Sequence, residues 1–149
     1  MSSSKKLFGA SGVLDAASGA SNIEDLYSTF VYKGDGSTRS IVNGINLSGD
    51  GGLVWIKNRD TNSRDHVLID TARGATKVLS TNNQNQESTD SDTITAFNNN
   101  GFSLGADDKV NTSNENYVAW AFKKQAGFFD VITYTGNGNT NGALQTISH

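Results

Sequence analysis

The chain has 149 residues, with 12 lysines and arginines against 15 aspartates and glutamates, a formal net charge of -3 at pH 7 and no cysteine. This length suffices for one domain with its own core plus a short appendage. The missing cysteines exclude a disulfide framework, a thiolate metal site and a cysteine nucleophile. The acidic balance gives no sign of the basic face that nucleic acid requires, so no nucleic-acid partner is expected.

Small polar residues dominate the composition. Serine, threonine, asparagine and glycine occur 17, 14, 17 and 16 times, together 64 of the 149 residues. Ser, Asn and Gly favour turns, whereas Thr favours strands. The mixture predicts many short strands joined by tight polar loops, in an all-β sandwich or barrel. No apolar run approaches the roughly 20 residues of a membrane helix. The broken apolar pattern of residues 7–20 does not match a signal peptide, so we expect no membrane span and assembly in a cytoplasm.

Residues 1–26 form a segment rich in Ser, Ala and Gly with little apolar bulk. Such a segment cannot bury enough surface to fold by itself. It is therefore either a disordered tail or an anchor that becomes ordered against a partner. In the anchor hypothesis, four apolar residues hold that partner: Leu7, Phe8, Val13 and Leu14.

Strand-like patterns begin after this segment. Residues 27–32 and 39–42, separated by a Gly-Asp-Gly-Ser turn, predict a β-hairpin. Residues 53–57 are the most apolar short run and predict a buried central strand. Further strands are predicted at 66–70, 77–80, 93–97, 102–105, 117–124 and 128–135. Polar loops are expected at 58–64, 81–92 and 106–116. Helix is limited to one or two turns, in the N-terminal segment or near residues 70–74.

A short pattern occurs twice, as Tyr-Lys-Gly-Asp-Gly at residues 32–36 and Tyr-Thr-Gly-Asn-Gly at residues 134–138, an offset of 102 residues. Each copy follows a strand-like run and precedes a return run, which reaches Ile41 in the first copy and, after four extra residues, Ile147 in the second. A period this long fits tandem domains better than solenoid repeats. Two alternatives follow. Residues 27–128 form one sandwich domain and residues 129–149 open a second, truncated repeat, or the last strand closes the first sandwich.

Five blocks carry a family resemblance. They are Gly-Gly-Leu-Val-Trp-Ile-Lys at 51–57, Leu-Ile-Asp-Thr-Ala-Arg-Gly at 68–74, Asn-Gly-Phe-Ser-Leu-Gly at 100–105, Tyr-Val-Ala-Trp-Ala-Phe-Lys at 117–123 and Gly-Phe-Phe-Asp-Val at 127–131. Over about residues 27–149 the chain resembles a domain family common in large structural proteins of marine tailed phages, especially cyanophages. The resemblance implies a concanavalin A-like jelly-roll β-sandwich, here preceded by the extended anchor segment.

The resemblance also implies a function. We expect a non-enzymatic tail fibre, commonly a homotrimer, whose N-terminal region attaches to other tail or adaptor proteins and whose sandwich domains lead to a host receptor. Its location would be the virion tail, after assembly in the host cytoplasm. One alternative is a carbohydrate-binding module that holds a host surface glycan with the three polar loops. The other alternative is a capsid decoration protein.

Four aromatic residues inside apolar runs are expected in the core: Trp55, Trp120, Phe102 and Phe122. Stacking on a sugar ring is the alternative for the two tryptophans. The oxygen-rich loop with Asp107, Asp108 and Asn111 offers candidate calcium ligands, although its spacing is not that of an EF-hand. A solvated loop is the alternative there, and no other cofactor is expected.

Catalytic residues are not indicated. His66 and Asp70 would share one face of a strand, but no serine in a sharp nucleophile turn accompanies them, which favours a surface pair. Arg73 after Asp70 suggests a turn with an Arg-carboxylate pair. Glycoside hydrolysis needs two carboxylates that flank a cleft, and the two glutamates of the folded part, Glu87 and Glu115, lie in polar loops.

Overall fold

A computed structural model of the chain describes residues 22–138 and 144–148. The elements, in chain order, are α1 (Ile23–Leu26), β1 (Tyr27–Lys33), β2 (Arg39–Val42), β3 (Gly52–Asn58), β4 (Val67–Asp70), β5 (Lys77–Val78), β6 (Ser88–Thr89), β7 (Ile94–Asn98), β8 (Gly101–Leu104), α2 (Asp108–Asn111) and β9 (Asn116–Lys123). The predicted anchor residues Leu7, Phe8, Val13 and Leu14 lie outside the described residues.

The strands form two antiparallel sheets with a shared core. Sheet A has the strand order β1-β9-β3-β4, and sheet B has the order β2-β8-β7. The short strands β5 and β6 pair with each other, and a bridge between Leu68 and Leu79 ties them to β4. Two sheets that pack on one core are the layers of a β-sandwich. The predicted all-β sandwich is therefore confirmed, and its concanavalin A-like topology stays a prediction from the resemblance.

The core lies between the sheets and follows from the alternation of the central strands. Val54 and Ile56 of β3 are fully buried, whereas Leu53, Trp55 and Lys57 are only half-buried. Strand β9 and sheet B supply further members of the buried cluster: Tyr117, Ala119, Ala121, Ile41, Ile94, Phe102 and Leu104. Among the four predicted core aromatics, Phe102 is thus confirmed.

The segments 27–32 and 39–42 are both strands, but they do not form the predicted hairpin. β1 pairs with β9 in sheet A, and β2 pairs with β8 in sheet B. The amides of Gly34 and Gly36 donate to the carbonyl oxygens of Glu115 and Asn111, each at 2.8 Å. The connection is therefore a crossing between the sheets, held by the residues that lead into β9.

The predicted strand at residues 128–135 is absent, although all of these residues are described. The chain turns at Gly127, whose φ is +77°, and the Gln125 amide donates to the Phe129 carbonyl at 2.9 Å. Phe128 is 40 % exposed. This segment therefore adds no strand to either sheet, and the division into residues 1–26, 27–128 and 129–149 stays a prediction.

Two predicted loops contain short regular elements. The 106–116 loop includes α2, whose Val110 and Asn111 are fully buried, and the 81–92 loop includes β6. Side-chain capping explains α2, because the Asp107 carboxylate accepts the Lys109 amide at 2.8 Å. The predicted helical turn near residues 70–74 is a hydrogen-bonded turn, with the Gly74 amide 3.0 Å from the Asp70 carbonyl.

Candidate functional site

Three polar connections and part of a fourth meet at one end of the sandwich, which we call the loop pole. It comprises residues 34–38, 59–66 and 105–115, with both ends of the 81–92 loop. The strand register explains the convergence, because Lys33 lies opposite Asn116 and Asn58 lies opposite Tyr117, so that β1 and β3 end where β9 begins. Two of the three loops predicted from the sequence as a glycan site, 58–64 and 106–116, therefore come together with both ends of the third, 81–92.

Asn111 is fully buried, and its side chain connects several segments of the loop pole. Its amide nitrogen donates to the carbonyl oxygens of Ser37 at 2.6 Å and Gly105 at 3.0 Å, and to the Asp35 carboxylate at 3.1 Å. Its side-chain oxygen accepts the Asp35 backbone amide at 3.1 Å. One side chain thus joins the crossing loop to α2 and the end of β8.

A second buried amide fixes the loop after β3. The side-chain oxygen of Asn58 accepts the amides of Asp60 and Thr61 at 2.8 and 2.9 Å, and its nitrogen donates to the Glu115 carboxylate. Asp60 in turn accepts the Asn116 amide at 2.7 Å. Because buried polar groups are costly unless they are hydrogen-bonded, these bonds hold the 59–66 loop against the start of β9.

The candidate calcium ligands are used for other contacts. Lys109 Nζ lies 2.8 Å from Asp107 and 3.2 Å from Asp90, while Asp108 pairs with Arg64. Burial lowers the pKa of Lys109, but its bonds to the two carboxylates outweigh burial and raise the pKa overall. Calcium takes about six to eight oxygen ligands. The Asp107, Asp108 and Asn111 set is therefore not assembled as a calcium site, because ammonium, guanidinium and amide donors occupy its oxygens.

The opposite end, which we call the base pole, is where the described chain enters and leaves the sandwich. Tyr27 at the start of β1 lies opposite Phe122 near the end of β9. The Lys124 amide donates to the Gly51 carbonyl at 2.8 Å. The base pole thus comprises residues 22–26, 43–51, 71–74, 99–100 and 124–131.

Rings cover the outside of sheet A, and we call this surface the aromatic face. The ring centroids of Trp55 and Trp120 lie 5.1 Å apart, those of Tyr27 and Phe122 lie 5.0 Å apart, and Phe129 stacks on Phe122 at 5.3 Å. In the register, Thr29, Trp120, Trp55 and Leu68 form one row across all four strands. Residues directly opposite each other share a face of the sheet.

The core prediction for Trp55, Trp120 and Phe122 is therefore wrong. These rings are half-buried by one another on the outer surface, and they lie outside the buried cluster between the sheets. The physical reason is the pleat, which turns Ala119 and Ala121 inward and turns Trp120 and Phe122, which alternate with them, outward. The two small inward residues were the signal that sequence reasoning missed.

His66 joins the aromatic face to the loop pole. Trp55 Nε1 donates to His66 Nδ1 at 3.2 Å, and the Thr81 hydroxyl lies 2.9 Å from the same nitrogen. An indole N–H can only donate, so Nδ1 accepts and the imidazole is neutral, with its proton on Nε2. Burial and, second, the charge of Lys57 lower the pKa of His66, in agreement with this neutral form.

Asp70 does not partner His66, so the two do not form the expected surface pair. Asp70 is 2 % exposed and accepts Arg73 Nε at 2.6 Å and the Arg73 amide at 2.9 Å. Arg73 also lies 3.2 Å from Glu87. The turn with an Arg-carboxylate pair is thus confirmed, and it fixes the middle of the 81–92 loop.

In the part of the chain that the structure describes, no three His, Cys, Asp or Glu side chains are grouped to hold a metal ion. Nor does any helix within residues 22–138 and 144–148 have the length and hydropathy to cross a membrane. A family model for a domain of unknown function, DUF7483, matches residues 23–128. No curated protein and no solved structure matches the chain.

Proposed function

We propose that the chain, which belongs to the family of the domain of unknown function DUF7483, is a non-enzymatic attachment module of a tailed-phage virion, built into a tail fibre. Residues 1–26 attach to the tail or an adaptor protein, and the loop pole points toward a host receptor. The fibre is a homotrimer, located in the virion tail after assembly in the host cytoplasm. The resemblance to structural proteins of marine tailed phages supports this choice.

The observation that carries the proposal is the separation of the two poles. The described chain enters at α1 and leaves after Lys123 at the base pole. The 34–38, 59–66 and 105–115 loops lie at the other end, tied to one another by buried Asn111 and Asn58. A domain attached at its base pole presents a rigid polar surface outward, and preorganised loops on a rigid scaffold are well suited to recognition.

The location is tested on purified virions that carry the chain. An antibody against the folded sandwich is visualised by electron microscopy, and the copies per particle are counted by quantitative mass spectrometry. We expect label at the tail and a copy number that is a small multiple of three. Label spread evenly over the capsid, with hundreds of copies, would overturn the fibre assignment in favour of a decoration protein.

The attachment is tested by removing residues 1–21, a deletion that leaves α1 and its buried Leu26 in place. We expect the shortened chain to keep the circular dichroism spectrum of the full chain but to be absent from assembled particles. Incorporation of the shortened chain at the normal copy number would contradict the anchor at Leu7, Phe8, Val13 and Leu14.

A carbohydrate-binding module is the second candidate function, and the aromatic face favours it because Trp55 and His66 place rings beside the loop pole. Aromatic side chains with a few convergent polar groups are typical of ligand sites. The full chain is applied to a glycan array beside two variants, Asn62→Lys with Gln84→Lys in the exposed loops and Ala72→Lys with Asn99→Lys at the base pole. Loss of binding in the first variant alone supports the loop pole. If the first variant still binds glycan but Trp120→Leu does not, the aromatic face is the binding site.

A further inference from the structure

The residues of the first copy of the repeated pattern contact the chain around the start of β9. The Tyr32 hydroxyl donates to the Val110 carbonyl at 2.8 Å, and its ring stacks on Tyr117 at 5.3 Å. The Asp35 carboxylate accepts the Ser37 amide at 2.9 Å. The tyrosine thus packs against other parts of the sandwich, and the aspartate stabilises the crossing loop. Both contacts explain why these residue types occur at these positions.

Both glycines of the first copy are structurally required. A Cβ on Gly34 would lie 2.1 Å from the Thr112 carbonyl oxygen, closer than any real contact. Gly36 has a φ of +72°, in the left-handed region that favours glycine. The Tyr-x-Gly-x-Gly spacing is therefore the signature of a strand that leaves sheet A and crosses to sheet B.

The second copy keeps this signature without these contacts. Gly138 has a φ of +62°, close to that of Gly36. Tyr134 is 64 % exposed, whereas Tyr32 is 8 % exposed. Within the described residues, no atom lies within 4 Å of the position where a Cβ would stand on Gly136. The tyrosine and the first glycine, which packing dictates in the first copy, thus recur in the second copy without that packing among the described residues.

The topology makes the crossing unit separable. β1 is an edge strand of sheet A and pairs with β9, and β2 is an edge strand of sheet B and pairs with β8. The unit from β1 to β2 therefore adds one edge strand to each sheet and is not interleaved between other strands. A second segment with the same pattern can fill the same two edges in another sandwich, as edge strands do when they pair with a new partner.

We propose that residues 130–147 are a second β1–crossing–β2 unit, made to complete a second sandwich of this same family. Ile132 and Tyr134 take the places of Phe30 and Tyr32, and Ile147 takes the place of Ile41. In this chain Ile132 is 38 % exposed and Ile147 is 39 % exposed. We explain this exposure by the place of their partners, because the strands that correspond to β8 and β9 belong to the second sandwich. This inference does not depend on the attachment role.

The test places the second copy in the position of the first within the full chain. Five substitutions, Phe30→Ile, Val31→Thr, Lys33→Thr, Asp35→Asn and Ser37→Asn, convert residues 30–38 into the sequence of residues 132–140. We expect cooperative unfolding at a temperature lowered by less than about 8 °C, since the changes are conservative or exposed. The Ala119 and Ala121 amides, on the strand that β1 covers, should stay protected from hydrogen exchange.

Two controls separate this outcome from a general tolerance of the sandwich for substitutions in residues 30–38. In a shifted graft, residues 30–38 carry the sequence of residues 131–139, so that the tyrosine falls at position 33 and the glycines at 35 and 37. We expect it to unfold more than about 10 °C below the in-register graft. Gly34→Val should lower the unfolding temperature equally in the graft and in the original chain. An unfolded in-register graft, or a shifted graft of equal stability, would overturn the proposal.

Discussion

At the residue scale, the loop pole depends on two asparagines that the sequence placed in solvent-exposed loops. Asn111 and Asn58 are 0 and 1 % exposed, and each satisfies its amide through bonds to several segments of chain. An amide has two donors and an acceptor in a fixed plane, so one side chain can orient two loops at once. This explains how a polar loop region becomes rigid in a chain that has no cysteine for a disulfide.

His66 makes stability depend on pH. Its pKa in the folded chain is lowered from the ordinary value of 6.5, so the unfolded chain binds the proton more readily. The neutral form therefore contributes stability that is fully present above pH 6.5 and is lost as the pH falls through the lower folded-state pKa. We expect the free energy of unfolding, measured in urea from pH 7.5 to 5, to decrease over this range.

The matched variant is His66→Gln, which cannot titrate but can still accept a hydrogen bond from Trp55. Its free energy of unfolding should change less between pH 7.5 and 5 than that of the original chain. Since carboxylates such as Asp65 are common to both proteins, the difference between the two profiles isolates the imidazole. Identical profiles would show that the Trp55–His66 bond does not distinguish the two protonation states.

At the element scale, β9 holds sheet A together, because it pairs with β1 along one edge and with β3 along the other. Its inward residues Ala119 and Ala121 are fully buried opposite sheet B. Closely packed interiors do not accommodate added methylene groups without strain. The small inward side chains therefore set the spacing between the sheets.

We predict that Ala119→Leu destabilises the domain by about 1–3 kcal/mol, because the added volume meets the packed core. Val118→Leu, one residue away on the outer face, should change the free energy of unfolding by less than about 0.5 kcal/mol. Chemical denaturation of both variants measures the difference. Equal effects at the two positions would contradict the assignment of inward and outward faces.

The strands themselves were predictable, whereas their pairing was not. Local apolar and β-branched runs located β1, β3, β4, β7, β8 and β9, because period-two patterns and turn residues act over a few positions. The hairpin prediction failed because the partner of β1 lies in residues 116–122, and the glycine turn alone cannot specify that contact. Likewise, strands that are apolar on both faces do not reveal whether Trp55 or Val54 points inward.

The site was predictable only in part for the same reason. The polar loops were identified from composition, but their convergence follows from the antiparallel register of β1, β9 and β3. Asn111 appeared as a calcium ligand because its type and spacing are compatible with that role. Only the fold shows that its side-chain oxygen already accepts the Asp35 amide, so that this oxygen is not free to bind a cation.

At the scale of the whole molecule, the sandwich and the segment after β9 are distinct parts. Lys124 and Phe129 contact the sandwich through the Gly51 carbonyl and the Phe122 ring. Farther along, the hydrogen bonds of Gln145 join it to Thr135 at 2.7 Å and Asn137 at 3.3 Å, within the segment itself. The boundary of the folded unit therefore lies near residue 131, a few residues beyond the family match.

Two truncations test this boundary. A chain that ends at Val131 keeps every contact named above between the segment and the sandwich, so its free energy of unfolding should lie within about 0.5 kcal/mol of that of the full chain. A chain that ends at Lys123 loses the Phe129–Phe122 stacking and the Lys124 bond, and should be less stable by about 1–3 kcal/mol. If the Val131 truncation proves as unstable as the Lys123 truncation, residues 132–149 are part of the first sandwich, and they cannot be a unit reserved for a second one.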